Sequence, residues 1–192
     1  MRVVPVLALS VVSVVLSVAC APATVSPSSA DIARAFTLTV DGTPVPADGV
    51  TYSYSTEEFD LSAGLTEHQV VVSVSNKSDA TMQIVPDSSV FVLPSGASSR
   101  VLTGQASYAT RNNPQPVILV PADAGATTVL LPSALLGFES GRYGRGVYMD
   151  PMFPWPLPSR VTFRLVLHME VAGEEREVTL LFEGTPLPSS DS

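Results

Sequence analysis

Near the C-terminal end, apolar and polar residues alternate along a stretch long enough to restrict the fold more than any other feature. Val161, Phe163, Leu165, Leu167, Met169 and Val171 are apolar, with Thr162, Arg164, His168 and Glu170 between them, and only Val166 breaks the pattern. Successive side chains of an extended chain point to opposite faces, so this run predicts a strand with one buried and one wet face. Ala172 to Glu175 supplies a turn, and Val178, Leu180 and Phe182 resume the alternation as the returning arm of a hairpin.

The same period recurs in shorter form upstream. Phe36, Leu38 and Val40 alternate with Thr37 and Thr39, and Asp41-Gly42 followed by Pro44 to Gly49 is turn chemistry. Val50, Tyr52 and Tyr54 fall on one face of the next strand, whereas Glu57 to Glu67 is polar and irregular, with room for one short helical turn. Val70, Val72 and Val74 share a face, and the turn cluster Asn76 to Asp79 makes Thr81 to Val85 the expected hairpin partner of that strand. Val90 to Leu93, Ser99 to Thr103, Val117 to Val120 and Thr127 to Leu131 are further short strands, each bounded by proline, glycine or turn residues. Many short strands with no convincing amphipathic helix predict an all-β domain over residues 36–184. An Ig-like β-sandwich is the expected form, with a lipocalin-like barrel as the alternative and a disordered tail at 185–192. The Cys-Trp-Cys core of antibody domains is absent.

The other end of the chain has a different character. Arg2 precedes an almost wholly apolar run from Val3 to Ala19, which ends Leu16-Ser17-Val18-Ala19-Cys20. A membrane-spanning helix needs about 20 apolar residues, and this run is slightly short, with Pro5 near its start. A secretory cut after Ala21 would leave Pro22 at the first mature position. Cutting before Cys20 avoids that and frees a thiol for acylation. The run resembles a lipoprotein signal, although Ser17 stands where that motif usually has Leu, Val or Ile. The expectation is a signal peptide at 1–19, a Cys20 carrying palmitate-type acyl chains, and a Pro/Ser/Ala-rich lipid-anchored tether over 20–35. Such a protein belongs to the cell envelope, membrane-anchored and facing the periplasm or the exterior.

Charge and chemistry narrow the partners. Arg2 is the only charged side chain before Cys20, so the mature chain sets 9 Lys+Arg against 18 Asp+Glu, a balance of −9. That argues against a nucleic-acid partner, which would need a basic patch. Cys20 is the only cysteine, so an intramolecular disulfide and a cysteine-built metal site are both ruled out. The chain carries no nucleophile elbow, no H-E-x-x-H and no phosphate-binding glycine loop. His68 and His168 read as surface residues. No catalytic residue, metal ligand or cofactor is expected.

Gly137 to Pro158 stands out by composition: four glycines, four prolines and the only tryptophan, without a strand period. Long irregular loops in compact domains often carry function. Arg142, Tyr143, Arg145, Tyr148 and Trp155 are the partner-binding candidates, while Phe153, Trp155 and Leu157 also suit a cap over the open end of the domain.

Val72-Ser73-Val74-Ser75-Asn76, Gly96 to Val101, the proline-bounded Val117 to Pro121 and Trp155-Pro156-Leu157-Pro158 together resemble a loose group of uncharacterised bacterial envelope lipoproteins with Ig-like domains. The resemblance runs from Val70 to the end and rests on turn and core chemistry. It implies a fold and a location and brings no catalytic residues. The function expected is a non-catalytic interaction or structural module with an envelope protein partner, the alternative being a small-molecule or glycan binder that uses the aromatic loop.

Overall fold

The computed structural model describes residues 26–141 and 144–188, without the side chains of 141, 144 and 145. It begins with a helix inside the stretch expected to be tether. In α1 (Ser29–Ala35), the N-cap Ser28 and Asp31 form a reciprocal capping box, and Ile32, Ala33 and Ala35 are buried. Tyr52 fastens this helix, its hydroxyl donating to Phe36 O at 2.9 Å and Ala33 O at 3.3 Å. Burial pushes the phenol up to about 12.

The first sheet segments are β1 (Phe36–Val40), β2 (Thr43–Val45), β3 (Ala47–Asp48), β4 (Thr51–Ser55), β5 (Phe59–Leu65) and β6 (Val70–Asn76). They continue through β7 (Met82–Ile84), β8 (Val90–Val92), β9 (Ser98–Thr103), β10 (Ile118–Val120) and β11 (Gly125–Pro132). A hairpin of β12 (Leu136–Gly141) and β13 (Gly144–Met149) follows, and then the long pair β14 (Val161–Val171) and β15 (Glu174–Gly184). No helix among the described residues is long and apolar enough to cross a membrane.

All pairings are antiparallel, and thirteen strands form one nearly closed sheet in the order β2-β1-β15-β14-β8-β9-β11-β6-β5-β4-β3, with β7 and β10 branching beside β14. β9 turns the corner: Ser98 to Arg100 pair with β8, and Val101 to Thr103 pair with β11. At the opposite corner only Pro46 separates the two outermost strands, β2 and β3. The all-β expectation holds. The C-terminal hairpin matches its alternation, with Val161 facing Gly184, Leu165 facing Leu180 and Val171 facing Glu174.

Inward side chains of the curled sheet meet in one core. Phe163 and Phe182 stack at 4.9 Å, and Tyr52 meets Phe182 edge-on at 6.3 Å from across the interior. Phe153 enters from the segment after β13, 4.7 Å from Phe36. Met152, Phe153 and Leu157 are all buried, so this segment closes one end of the core as the capping reading expected.

Three local expectations fail, each for a physical reason. Residues 57–67, read as irregular, contain β5, whose inward set Phe59, Leu61, Ala63 and Leu65 alternates with Asp60, Ser62 and Gly64. The small Ala63 and Gly64 weaken its apolar signal. Thr81 to Val85 does not pair with β6. β7 joins β14 and β10, because the buried Asn76 amide donates to Ala80 O at 2.7 Å and Val120 O at 3.0 Å and carries the chain across to the opposing layer. Val50, expected on one strand face with Tyr52 and Tyr54, lies exposed in the turn after Gly49, where φ is +64°.

Candidate functional site

The segment from Leu136 to Arg160 divides into two parts. Its second half is the cap. Its first half, read as an irregular loop, is the hairpin β12–β13, with Leu136 facing Met149, Gly137 facing Tyr148 and Phe138 facing Val147. Four glycines among the fourteen residues from Leu136 to Met149 dilute the alternation and hide it from a periodicity search. The two strands form their own small sheet, apart from the main one.

Apolar contact holds the hairpin down. Leu102 and Leu131 point outward from β9 and β11, yet both are buried beneath Leu136, with Met149, Tyr108, Ala106 and Val129 packed around them. Backbone bonds pin its base: Asp150 N–H donates to Leu135 O at 2.9 Å, and Arg111 Nη1 donates to Leu136 O at 2.9 Å. The Arg111 guanidinium also lies 3.8 Å above the Tyr108 ring, and Tyr108 meets Phe138 at 5.4 Å.

Further out, the hairpin presents apolar surface. Phe138 is 43% exposed, Val147 56% and Tyr148 46%. Tyr148 lies across Gly137, where an added Cβ would stand 2.3 Å from its Cζ. An aromatic ring over a cross-strand glycine covers the open backbone. Phe138 and Val147 share one face of the hairpin, beside Tyr108 and Arg111, and Tyr148 stands on the other. Exposed aromatic and aliphatic side chains of this kind have the composition of a protein-contact surface, because they offer large contact area at small entropic cost.

The expected site residues fall in different places. Tyr148 is on the exposed hairpin. Arg145 belongs to β13 opposite Ser140. Trp155 is half-buried and packs against the main core, on the cap rather than beside Tyr148. Cys20, Arg142 and Tyr143 lie outside the described residues. Phe138, Val147, Tyr108 and Arg111 were missed. The alternation Leu136, Phe138 and Val147, Met149 about a glycine-rich centre was the signal for the first two, but Tyr108 and Arg111 come from a distant loop, and nothing local announces them.

The loop between β9 and β10 is fixed by polar chemistry. Arg100 pairs with Asp87 at 2.5 Å and donates to Asn113 O and Arg111 O. Gln115 N–H donates to Asp87, and the Gln115 side chain accepts from Thr103 N–H at 3.1 Å. Burial works against the charge on Asp87, but hydrogen bonds from Arg100 and the Gln115 backbone, with the Arg100 charge, outweigh it and hold its carboxyl below the ordinary carboxylate range. His68 and His168 are both half-buried, and Nδ1 of His68 is buried with no hydrogen-bond partner among the described residues. No three of His, Cys, Asp or Glu gather to hold a metal ion among the described residues.

Comparison with family models, curated proteins and solved structures finds no match for this chain.

Proposed function

We propose that the chain is a lipid-anchored envelope protein, held by acylated Cys20, whose Ig-like domain binds an envelope protein partner through the β12–β13 hairpin and performs no catalysis. The exposed Phe138 and Val147 on one face and Tyr148 on the other, on a hairpin that shares no ladder with the main sheet, carry the reading. Apolar area of this kind is costly to leave in water and is a common mark of interaction sites. Arg142, Tyr143 and Arg145 follow in the same hairpin sequence and supply the aromatic and arginine content typical of contact surfaces.

The finer fold description, an Ig-like sandwich, is supported by antiparallel strands whose inward faces oppose across the core, as Tyr52 and Phe182 do. The envelope location is supported by the apolar run ending Ala19-Cys20 and by the resemblance to envelope lipoproteins. Trp155 packs against the core as part of the cap, so the glycan alternative would rest mainly on the tyrosines of the aromatic loop.

Photo-cross-linking in living cells tests the hairpin. The cross-linker replaces Tyr148 in the full-length protein, and Ser53, an exposed residue of β4, serves as the control position. A discrete adduct from 148 that is absent from 53 is expected. Adducts of equal yield from both positions, or none from 148, would overturn the assignment of the hairpin.

A further inference from the structure

The sheet has an opening where β10 and β11 part. Pro121 to Ala124 join the two strands in a turn closed by Ala124 N–H donating to Pro121 O at 3.2 Å, yet β10 pairs with β7 and β11 with β6. A groove of about 510 Å³ lies between them, with Val117 and Ile118 on one wall, Thr127 and Val129 on the other, and Thr103 and Gln105 at its end.

Backbone is left open at Thr127 in the β11 wall and at Leu119, which follows the lining residue Ile118 on β10. Val85 N–H donates to His168 O, so alternation turns Ile84 and Met82 towards β10. Ile118 and Val120 face those two residues, which leaves the N–H and C=O of Leu119 directed away from β7. On β11, Asn76 N–H donates to Ala124 O, which turns Ala124, Ala126 and Thr128 towards β6. Gly104 N–H donates to Val129 O on the opposite side, and Thr127 shares that direction. β9 would have covered Thr127, but Ala106 N–H donates to Thr103 O and the chain turns away. Among the described residues, neither Leu119 nor Thr127 has a backbone partner on its open side.

We propose that this groove takes an extended, uncharged segment of a partner protein by strand addition between the open edges of β10 and β11. None of its lining residues carries a charge, so the segment is neutral where it lies in the groove, and the −9 balance of the mature chain favours basic residues flanking it. A strand placed between two open edges needs both of its own edges free. Every strand of this chain among the described residues already pairs on at least one side, so a folded second copy has no such strand to give. The partner therefore contributes an unfolded stretch. The inference does not rest on the hairpin, since it concerns open backbone at a different place.

The probe is a synthetic octapeptide of alternating Thr and Val with a Lys at each end, added to the mature chain in detergent, and the readout is amide hydrogen exchange. Strand addition should slow exchange at Leu119 and Thr127 by about tenfold or more while leaving Thr128, whose amide already faces β6, unchanged. The same peptide N-methylated at alternate positions should give no protection. Thr127→Pro removes one open donor without touching the β6 ladder and should weaken peptide binding about tenfold. Leu119→Pro makes the same test on the other edge should Thr127→Pro fold poorly. Unchanged exchange at millimolar peptide, or equal binding of the N-methylated peptide, would overturn the proposal. So would slow exchange at both amides without peptide that is lost on dilution, which means a second copy, or lost on removing residues 189–192, which means the chain's own tail.

Discussion

Two glycines with the same apparent crowding predict opposite outcomes. A Cβ at Gly184 would stand 2.6 Å from the ring of Phe36 and 2.9 Å from Leu157 Cδ1, and both of those side chains are buried. Neither has free space to enter, so Gly184→Ala should cost about 1–3 kcal/mol, as overpacked cores do, and lower the midpoint of denaturant unfolding. At Gly137 the obstacle is the far end of the half-exposed Tyr148 ring, which can swing into solvent. Gly137→Ala should change stability by no more than about 0.5 kcal/mol, the usual range for surface sites, while shifting the Tyr148 ring resonances. Asp87 sets a pH dependence. Its folded carboxyl binds a proton less readily than the unfolded one, despite its partial burial, because Arg100 and the Gln115 N–H hold the charged form. The stability it contributes is fully present above the ordinary carboxylate value of about 3.9 and is lost as pH falls through the lower folded value. Asp31 and Asp60 are held low in the same sense, Asp31 first by its Ser28 hydrogen bond and Asp60 first by that of Ser55, so several carboxylates share the acid slope. Thermal unfolding between pH 6 and pH 2 should show a flatter decline for Asp87→Asn than for the parent. An unchanged slope would remove Asp87 from the account.

Turns decide which strands of this chain were readable. The long hairpin β14–β15 was legible because β14 alternates along all eleven residues and the last seven of β15 repeat the pattern after a two-residue loop. In that loop Ala172 has φ +54° and Gly173 +83°, the signs of a type I′ turn. Asp41 and Gly42 take the same signs between β1 and β2, at +48° and +80°. Alanine in this left-handed region carries a steric cost that asparagine tolerates better, so Ala172→Asn should stabilise the protein by about 0.5–1 kcal/mol. Equilibrium unfolding measures it directly, and a destabilised variant would contradict this turn assignment. β5 and the β12–β13 hairpin were illegible for a different reason. Ala63, Gly64 and the four hairpin glycines contribute little apolar signal, so geometry and neighbours, rather than side-chain pattern, make those strands. The site was half legible: Tyr148 could be named from composition, whereas Phe138 with Tyr108 and Arg111 depends on a contact between distant segments. The branch of β7 towards β14 was hidden too, since the Asn76 side chain redirects the strand through bonds that no local rule anticipates.

At the scale of the whole molecule, thirteen of the fifteen strands among the described residues curl into one sheet around the core. Its rings and branched side chains fill one interior, the 150–160 segment closes one end, and α1 is tied on through Tyr52. α1 begins at Ser29, nine residues after Cys20, so the proposed anchor would lie close to the domain. In the proposed function, a lipid anchor at Cys20 would hold the hairpin and the β10–β11 groove near the membrane surface, where the effective concentration of other envelope proteins is high. The proposed location depends on acylation of Cys20. The measurement that tests it most directly is the intact mass of the mature protein extracted from membranes. The account predicts a chain that begins at Cys20 and carries acyl chains. A chain that begins at Pro22, or one that begins at Cys20 with a free thiol and a free amino group, would contradict it.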